Sequence, residues 1–214
     1  MSHRLVPSLL MAALALLLAG PLTARAQDTT ELPVTPDPSE CTVQAPTPAE
    51  FVAMANASPQ AGTDDAMAAA TPSTFTLPEG SPADEETRQA VIQTLREVVA
   101  CINAGDYLAF YAYASPRLLH EQLAGEGITE ENIAAVGTPV VVAEGQRATL
   151  VDVREVIVLP DGRVGALVDT IFPEEQPGVQ TDFFAFVEQD GRWLIDEIVE
   201  DLEGQYPPEA TPTA

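Results

Sequence analysis

Between residues 84 and 104, apolar side chains recur every three or four positions: Val91, Leu95, Val98 and Ile102 form one stripe, and Val99 widens it. That spacing predicts a helix with one buried face. Ser81-Pro82-Ala83-Asp84 supplies its start, with a serine to cap, a proline suited to the first helical position and an acid three residues on. Gly105 supplies a left-handed stop. Asp106 caps a second, aromatic helix over 107–113 that breaks near Ser115-Pro116; residues 117–123 add another turn or two, and 129–136 reads as a last short helix before Pro139. From Arg147 the period changes. Residues 148–159 are rich in Val, Ile and Leu, Pro160-Asp161-Gly162 is a turn, and 164–172 alternates as a returning strand. Residues 183–188 and 192–199, joined by Gln189-Asp190-Gly191, form a second hairpin. Helices first and an antiparallel sheet of about four strands afterwards is the α+β order, with a curved sheet wrapped on the N-terminal helices.

Proline marks the boundaries of this unit. Fourteen of the 19 prolines lie outside residues 84–203, mixed with Ala, Ser and Thr. The sequence therefore divides into a leader over 27–83, one domain over 84–203 and a tail over 204–214. The leader and tail hold too few large apolar residues to offset the entropy of ordering them, and are expected to be extended or disordered. Within the leader, residues 48–57 (PAEFVAMANA) have the pattern of a short helix with Phe51 and Met54 inward, and Asn56-Ala57-Ser58 matches a glycosylation sequon, relevant only in a eukaryotic secretory host. Residues 1–26 read as a secretory signal peptide: a basic start, an apolar run over 9–19, and Ala24-Arg25-Ala26 as the cleavage pattern. The run is short for a membrane anchor, which takes about 20 apolar residues, and no cysteine ends it for lipid attachment. The expectation is export and cleavage after Ala26, leaving a secreted protein with no membrane segment.

Charge narrows the function classes. The chain carries 33 Asp and Glu against 9 cations, all arginine, for a formal charge of −24. Binding to nucleic acid or an anionic membrane needs clustered cations, and these arginines are scattered. Two histidines and two cysteines leave no metal-binding cluster, no calcium-loop motif occurs, and no cofactor is expected. In an exported protein, Cys41 and Cys101 can oxidise and have only each other as partner, so a disulfide is predicted; two separate buried thiols are the alternative.

The helix end VVACINAGDYLAFYAYAS over 98–115 and the closing hairpin FFAFVEQDGRWLIDEI over 183–198 resemble the nuclear transport factor 2-like (SnoaL-like, cystatin-like α+β) superfamily, over residues 84–203. The resemblance implies a cone-shaped domain with an apolar pocket between sheet and helices and a homodimer through the sheet. The superfamily spans isomerases, dehydratases, cyclases and proteins without chemistry, so fold alone does not select a reaction. In its steroid-isomerase-like branch, a tyrosine seven residues before the helix-ending glycine helps stabilise an oxyanion. Here that position is Val98, which donates no hydrogen bond. The branch's catalytic acid falls near Glu121 or Gln122.

The remaining chemistry is sparse. His120 and Glu121 are neighbours on a helix, either an acid–base pair at a pocket mouth or a surface pair. Asp152, Asp169 and Asp196 interrupt apolar strands; facing a pocket they are acids or ligand anchors, and facing water they are ordinary members of the alternation, with Asp152 and Arg154 paired on one strand face. Tyr107, Phe110, Tyr111 and Tyr113, with Phe184, Phe186 and Trp193, form either a core or the lining of a ligand site; Phe110, Tyr111, Phe184 and Trp193 are the ligand-binding candidates. The expected function is non-catalytic binding of a small apolar ligand or a partner protein. The alternative is a cyclase-, isomerase- or dehydratase-like enzyme using Glu121, His120 or Asp169.

Overall fold

The computed structural model describes residues 32–56, 75–123, 128–173 and 178–208. The signal peptide lies outside them. In order, the elements are a 3₁₀ turn Pro38–Glu40, α1 (Pro48–Ala55), β1 (Ser81–Pro82), α2 (Glu85–Ala104), α3 (Tyr107–Tyr111), α4 (Pro116–Leu123), α5 (Glu130–Val136), a 3₁₀ turn Glu144–Gln146, and strands β2 (Thr149–Val158), β3 (Val164–Ile171), β4 (Gln180–Gln189) and β5 (Arg192–Val199). The strands form one antiparallel sheet in the order β1-β2-β3-β4-β5. The fold is therefore α+β, with four long strands and a two-residue fifth at the edge.

That fifth strand corrects the reading of Ser81-Pro82. Asp84, not Ser81, caps α2, its carboxylate accepting the Thr87 N–H at 2.8 Å. Ser81 and Pro82 instead pair with Val158 and Ile157, and the Ala83 N–H donates to the Val156 carbonyl at 3.0 Å. An extended edge strand suits proline, and it covers groups that β2 would otherwise leave open. At the other edge, residues 113–115 run parallel to β5: the Ile195 N–H donates to the Tyr113 carbonyl and the Ser115 N–H to the Ile195 carbonyl, both at 2.7 Å.

The two sheet faces bury different cores. One face packs Leu150, Val153, Val164, Ala166, Val168, Phe186 and Ile195 against the Val91, Leu95, Val98 stripe of α2. The opposite face carries Ile157, Leu167, Phe183 and Ala185, and chain segments rather than helices cover it: Phe75 and Leu77 before β1, and Leu202 and Tyr206 after β5. Gly165 makes this second face possible, because a β-carbon there would stand 2.7 Å from the Phe183 ring. Tyr206 ties both covers together. Its hydroxyl accepts from Leu77 N–H at 2.9 Å, and its carbonyl accepts from Arg154 at 2.8 Å. Residues 204–208, assigned by sequence to the tail, thus begin as part of the sheet's cover.

Residues 32–56 of the leader are held as well, by the expected disulfide and by contacts that composition does not announce. Cys41 and Cys101 form a disulfide. Beside it, Arg96 pairs with Glu40 at 2.6 Å, Val34 pairs with Leu150, and the buried Asn103 side chain donates to the Pro36 and Ala148 carbonyls while accepting the Ala148 N–H. A few long-range ties offset the ordering entropy that the segment's own composition cannot. α1 begins with a capping box between Thr47 and Glu50 and buries Phe51 against Leu108, Leu119 and Ile133; Met54, also expected inward, is half-buried.

Candidate functional site

Ala90, Gln93, Thr94 and Glu97 follow one another at helical spacing on α2, and this face looks onto the β4–β5 turn. Between them lies an open cleft of about 220 Å³, walled by Tyr113, Arg192 and Trp193. Each wall has a local cause. Asp190 and Gly191 both take positive φ, the tight turn that delivers Arg192 and Trp193 at the start of β5. Tyr113 is fixed by the hydrogen bonds of its own segment to β5, and the residue is 4% exposed.

The polar groups of the cleft are already joined. The Tyr113 hydroxyl donates to Glu97 at 2.7 Å, the Gln93 amide donates to the other Glu97 oxygen at 2.8 Å, and the Arg192 guanidinium lies 5.4 Å over the Tyr113 ring. Burial, reinforced by the Glu97 carboxylate, pushes the Tyr113 phenol well above its ordinary value. Tyr113 is thus a fixed neutral donor, and Glu97 is an acceptor whose oxygens are both engaged. That arrangement holds the cleft's polar groups in fixed positions; it does not supply a free base.

A second cluster sits where α4 meets β5. A register shift beside Ala185 and Phe186 leaves Asp196 as the extra residue of a β-bulge. Its carboxylate accepts from Ser115 Oγ at 2.7 Å, Arg117 Nε at 3.0 Å and Arg163 Nη1 at 3.2 Å. Ser115 in turn accepts the Leu118 N–H and so caps α4. Arg163 also binds Glu197 and Asp161. Burial alone would lower the pKa of Arg163, but these carboxylates outweigh it and hold it above its ordinary value. The cluster is a saturated brace between a helix and a strand.

The expected catalytic residues are not brought together. Glu121 is exposed and paired with Arg117 at 3.0 Å; His120 Nδ1 lies 3.3 Å from the Ala55 carbonyl, against the end of α1. Asp169 is fully buried on the other side of the fold, gripped by both nitrogens of the Arg154 fork at 3.0 and 3.2 Å and by Thr181 Oγ1 at 2.7 Å. The expected Asp152–Arg154 pair is therefore corrected: the sheet register sets Asp152 opposite Asp169 and leaves Arg154 to reach Asp169 diagonally. Asp152 accepts the Val153 N–H at 2.8 Å.

Of the four expected ligand residues, Trp193 lines the cleft. Phe184 stacks with Phe186 at 6.2 Å on the helix-facing side of the sheet, Tyr111 packs on Phe51 at 5.2 Å, and Phe110 packs on Tyr111 at 5.0 Å. The sequence reading missed Glu97, Gln93 and Arg192. The available signal was Thr94 and Glu97 inside an otherwise apolar stretch of α2, which periodicity alone assigns to a solvated flank. Among the described residues no group of His, Cys, Asp and Glu is placed to hold a metal, and no helix is long and apolar enough to cross a membrane. No known protein family, curated protein or solved structure matches this chain.

Proposed function

We propose that the protein is an exported, non-catalytic binding domain of the nuclear transport factor 2-like type, and that its ligand seats an apolar group on Trp193 in the α2 cleft. The observation that carries this reading is the constellation of Trp193, Tyr113, Glu97 and Arg192: an aromatic wall beside polar groups whose positions are fixed by one another. Enclosed small-molecule sites run to about 300–1,000 Å³. A cleft of about 220 Å³ suits part of a molecule, such as a ring or short alkyl group of a small ligand or of a partner's side chain. The enzyme alternative has less support, since Glu121, His120 and Asp169 are tied elsewhere and none lines the cleft. The sheet-to-sheet homodimer implied by the resemblance would require lifting the Phe75, Leu77, Leu202 and Tyr206 cover, so this reading carries a monomer, checked by sedimentation.

The test uses the single tryptophan of the chain. Protein purified gently from its host is examined by native mass spectrometry for a retained molecule, and the neutral dye Nile red is titrated against Trp193 fluorescence. Ala90→Arg fills the cleft from a half-buried helix position without opening the core. Binding that is lost in this variant supports the reading. Binding that persists undiminished places the ligand elsewhere, and turnover of a retained molecule that disappears in Glu121→Gln would favour the enzyme.

A further inference from the structure

Among the described residues three large apolar side chains are exposed, Tyr107, Val140 and Val141, at 55%, 73% and 61%. The chain brings all three to the turn between α2 and α3. The Val140 carbonyl lies against Gly105, where a β-carbon would stand 1.9 Å from its oxygen, and Tyr107 opens α3 two residues further on. The segment that carries the valines is anchored on both sides. Upstream, Gly137 passes so close to Leu108 that a β-carbon would meet its side chain at 2.8 Å. Downstream, the Val142 N–H donates to the Asn103 carbonyl at 2.9 Å, and Arg147 Nε donates to the Val142 carbonyl at 3.4 Å. Between these anchors, Val140 and Val141 make no backbone hydrogen bond within the described residues.

The Val140 backbone packs against Gly105, so what the strip offers is its exposed side chains and the Val141 backbone, which is unpaired among the described residues; an exposed apolar strip on a fixed support can seat an extended segment. The charges nearby select the partner. Asp106 and Glu144 flank the strip in sequence, and Arg147, the cation of this stretch, is committed to Asp37 and to the Val142 carbonyl. A second copy would bring the same acids and a chain charge of −24 against its own kind, and an anionic lipid surface would be repelled as well. We infer that Tyr107, Val140 and Val141 form a docking surface for a partner protein's extended segment in which apolar residues alternate with Lys or Arg. This surface is separate from the α2 cleft, whose lining includes none of the three.

The probe is an end-blocked, fluorescently labelled peptide with the sequence KVKVKV, compared with EVEVEV and KSKSKS and followed by anisotropy. The first should bind, the second should not, and the third should bind more weakly. Val140→Ser/Val141→Ser should weaken KVKVKV about tenfold or more while leaving the thermal melt unchanged, because both side chains are exposed in the wild type. Ala90→Arg should leave KVKVKV binding intact, which separates this surface from the cleft. Equal affinity for KVKVKV and KSKSKS, or full binding by the serine variant, would overturn the assignment in favour of bare charge attraction. A concentration-dependent dimer abolished by the serine variant would also overturn it, in favour of a second copy.

Discussion

Replacing Asp182 by Asn should stabilise the protein at neutral pH and flatten its pH dependence. Asp182 is half-buried on β4, opposite Val168, with its carboxylate accepting the Asp201 N–H at 3.1 Å. Burial, with Glu200, Asp201 and Glu203 adding like charge, pushes its pKa up from 3.8 to about 6 against the opposing effect of that hydrogen bond. Glu203 adds to the local cost, since its Oε2 is buried with no hydrogen-bond partner among the described residues. A shift of about two units corresponds to about 3 kcal/mol for a group shielded from water. Asp182 is only half-buried, so screening reduces this to about 1 kcal/mol. The sign follows from proton uptake: a carboxyl with a raised pKa binds its proton more readily when folded, so its stabilising contribution is complete below about pH 3.8 and is lost as pH rises through about 6. Asn keeps the acceptor for Asp201 and removes the charge. Urea unfolding, followed by circular dichroism from pH 4 to 8, should therefore show Asp182→Asn more stable by about 1 kcal/mol at pH 8, a rise in Tm of about 2–4 °C, with the two curves converging toward pH 4. Asp37, Glu40, Asp84 and Asp161, whose pKa values are lowered, contribute the opposite slope at low pH in both proteins and cancel in the difference. A difference that is constant with pH, or a variant less stable at pH 8, would refute the reasoning.

Three further perturbations test the frame. Cys41→Ser/Cys101→Ser opens a loop closed across 60 residues and should cost about 4 kcal/mol on the loop-entropy model, read from the urea midpoint; unchanged stability would mean that the neighbouring Glu40–Arg96 and Asn103 contacts hold the leader by themselves. Gly105→Ala forces a side chain into a left-handed conformation at φ 63° and into the Val140 carbonyl, so it should cost about 2 kcal/mol or more; calorimetry showing a loss under 0.5 kcal/mol, roughly the effect of an ordinary surface change, would refute the close approach. Arg154→Met strands Asp169 as a buried charge held only by Thr181 and should cost about 3–5 kcal/mol, most of it recovered when Asp169→Leu is added; equal losses in the single and double variants, measured by urea unfolding, would show that the pair is not the source.

What was legible in the sequence was local. The Val91 to Ile102 stripe and the left-handed Gly105 define α2 and its end, and Asp190-Gly191 places the β4–β5 turn at the right residues, because in each case neighbours along the chain carry the physics. Ser81-Pro82 was misread because its local pattern fits a helix start, whereas its partner is the edge of β2 some 75 residues away. The same limit hid the Arg154–Asp169 pair, which depends on a register shift in β2. It also hid the cleft, which exists because residues 113–115 lie along β5 and set Tyr113 beside Glu97. The disulfide was the exception among long-range contacts, since two cysteines admit one pairing.

The distribution of arginine explains why the chain is so acidic outside and so economical inside. All seven arginines of the described residues are engaged. Arg96 ties the leader to α2, Arg117 and Arg163 join α4 and the β3 turn to β5 through Asp196, Arg147 holds Asp37, Arg154 clamps Asp169 and the Tyr206 carbonyl, Arg88 pairs along α2, and Arg192 lies on Tyr113. A planar fork can meet two oxygens at once, so few cations suffice to connect elements that are distant in sequence. Using arginine in this way leaves Glu86 of α2, Glu130 and Glu131 of α5 and Asp190 of the β4–β5 turn without an ion-pair partner among the described residues. Among the described residues, the aromatic wall of the α2 cleft and the exposed Tyr107, Val140 and Val141 are apolar surfaces on this acidic chain. At both, the apolar contacts proposed above would be added without displacing an ion pair, and at the strip the surrounding acids would favour a cationic partner over a second copy of the chain.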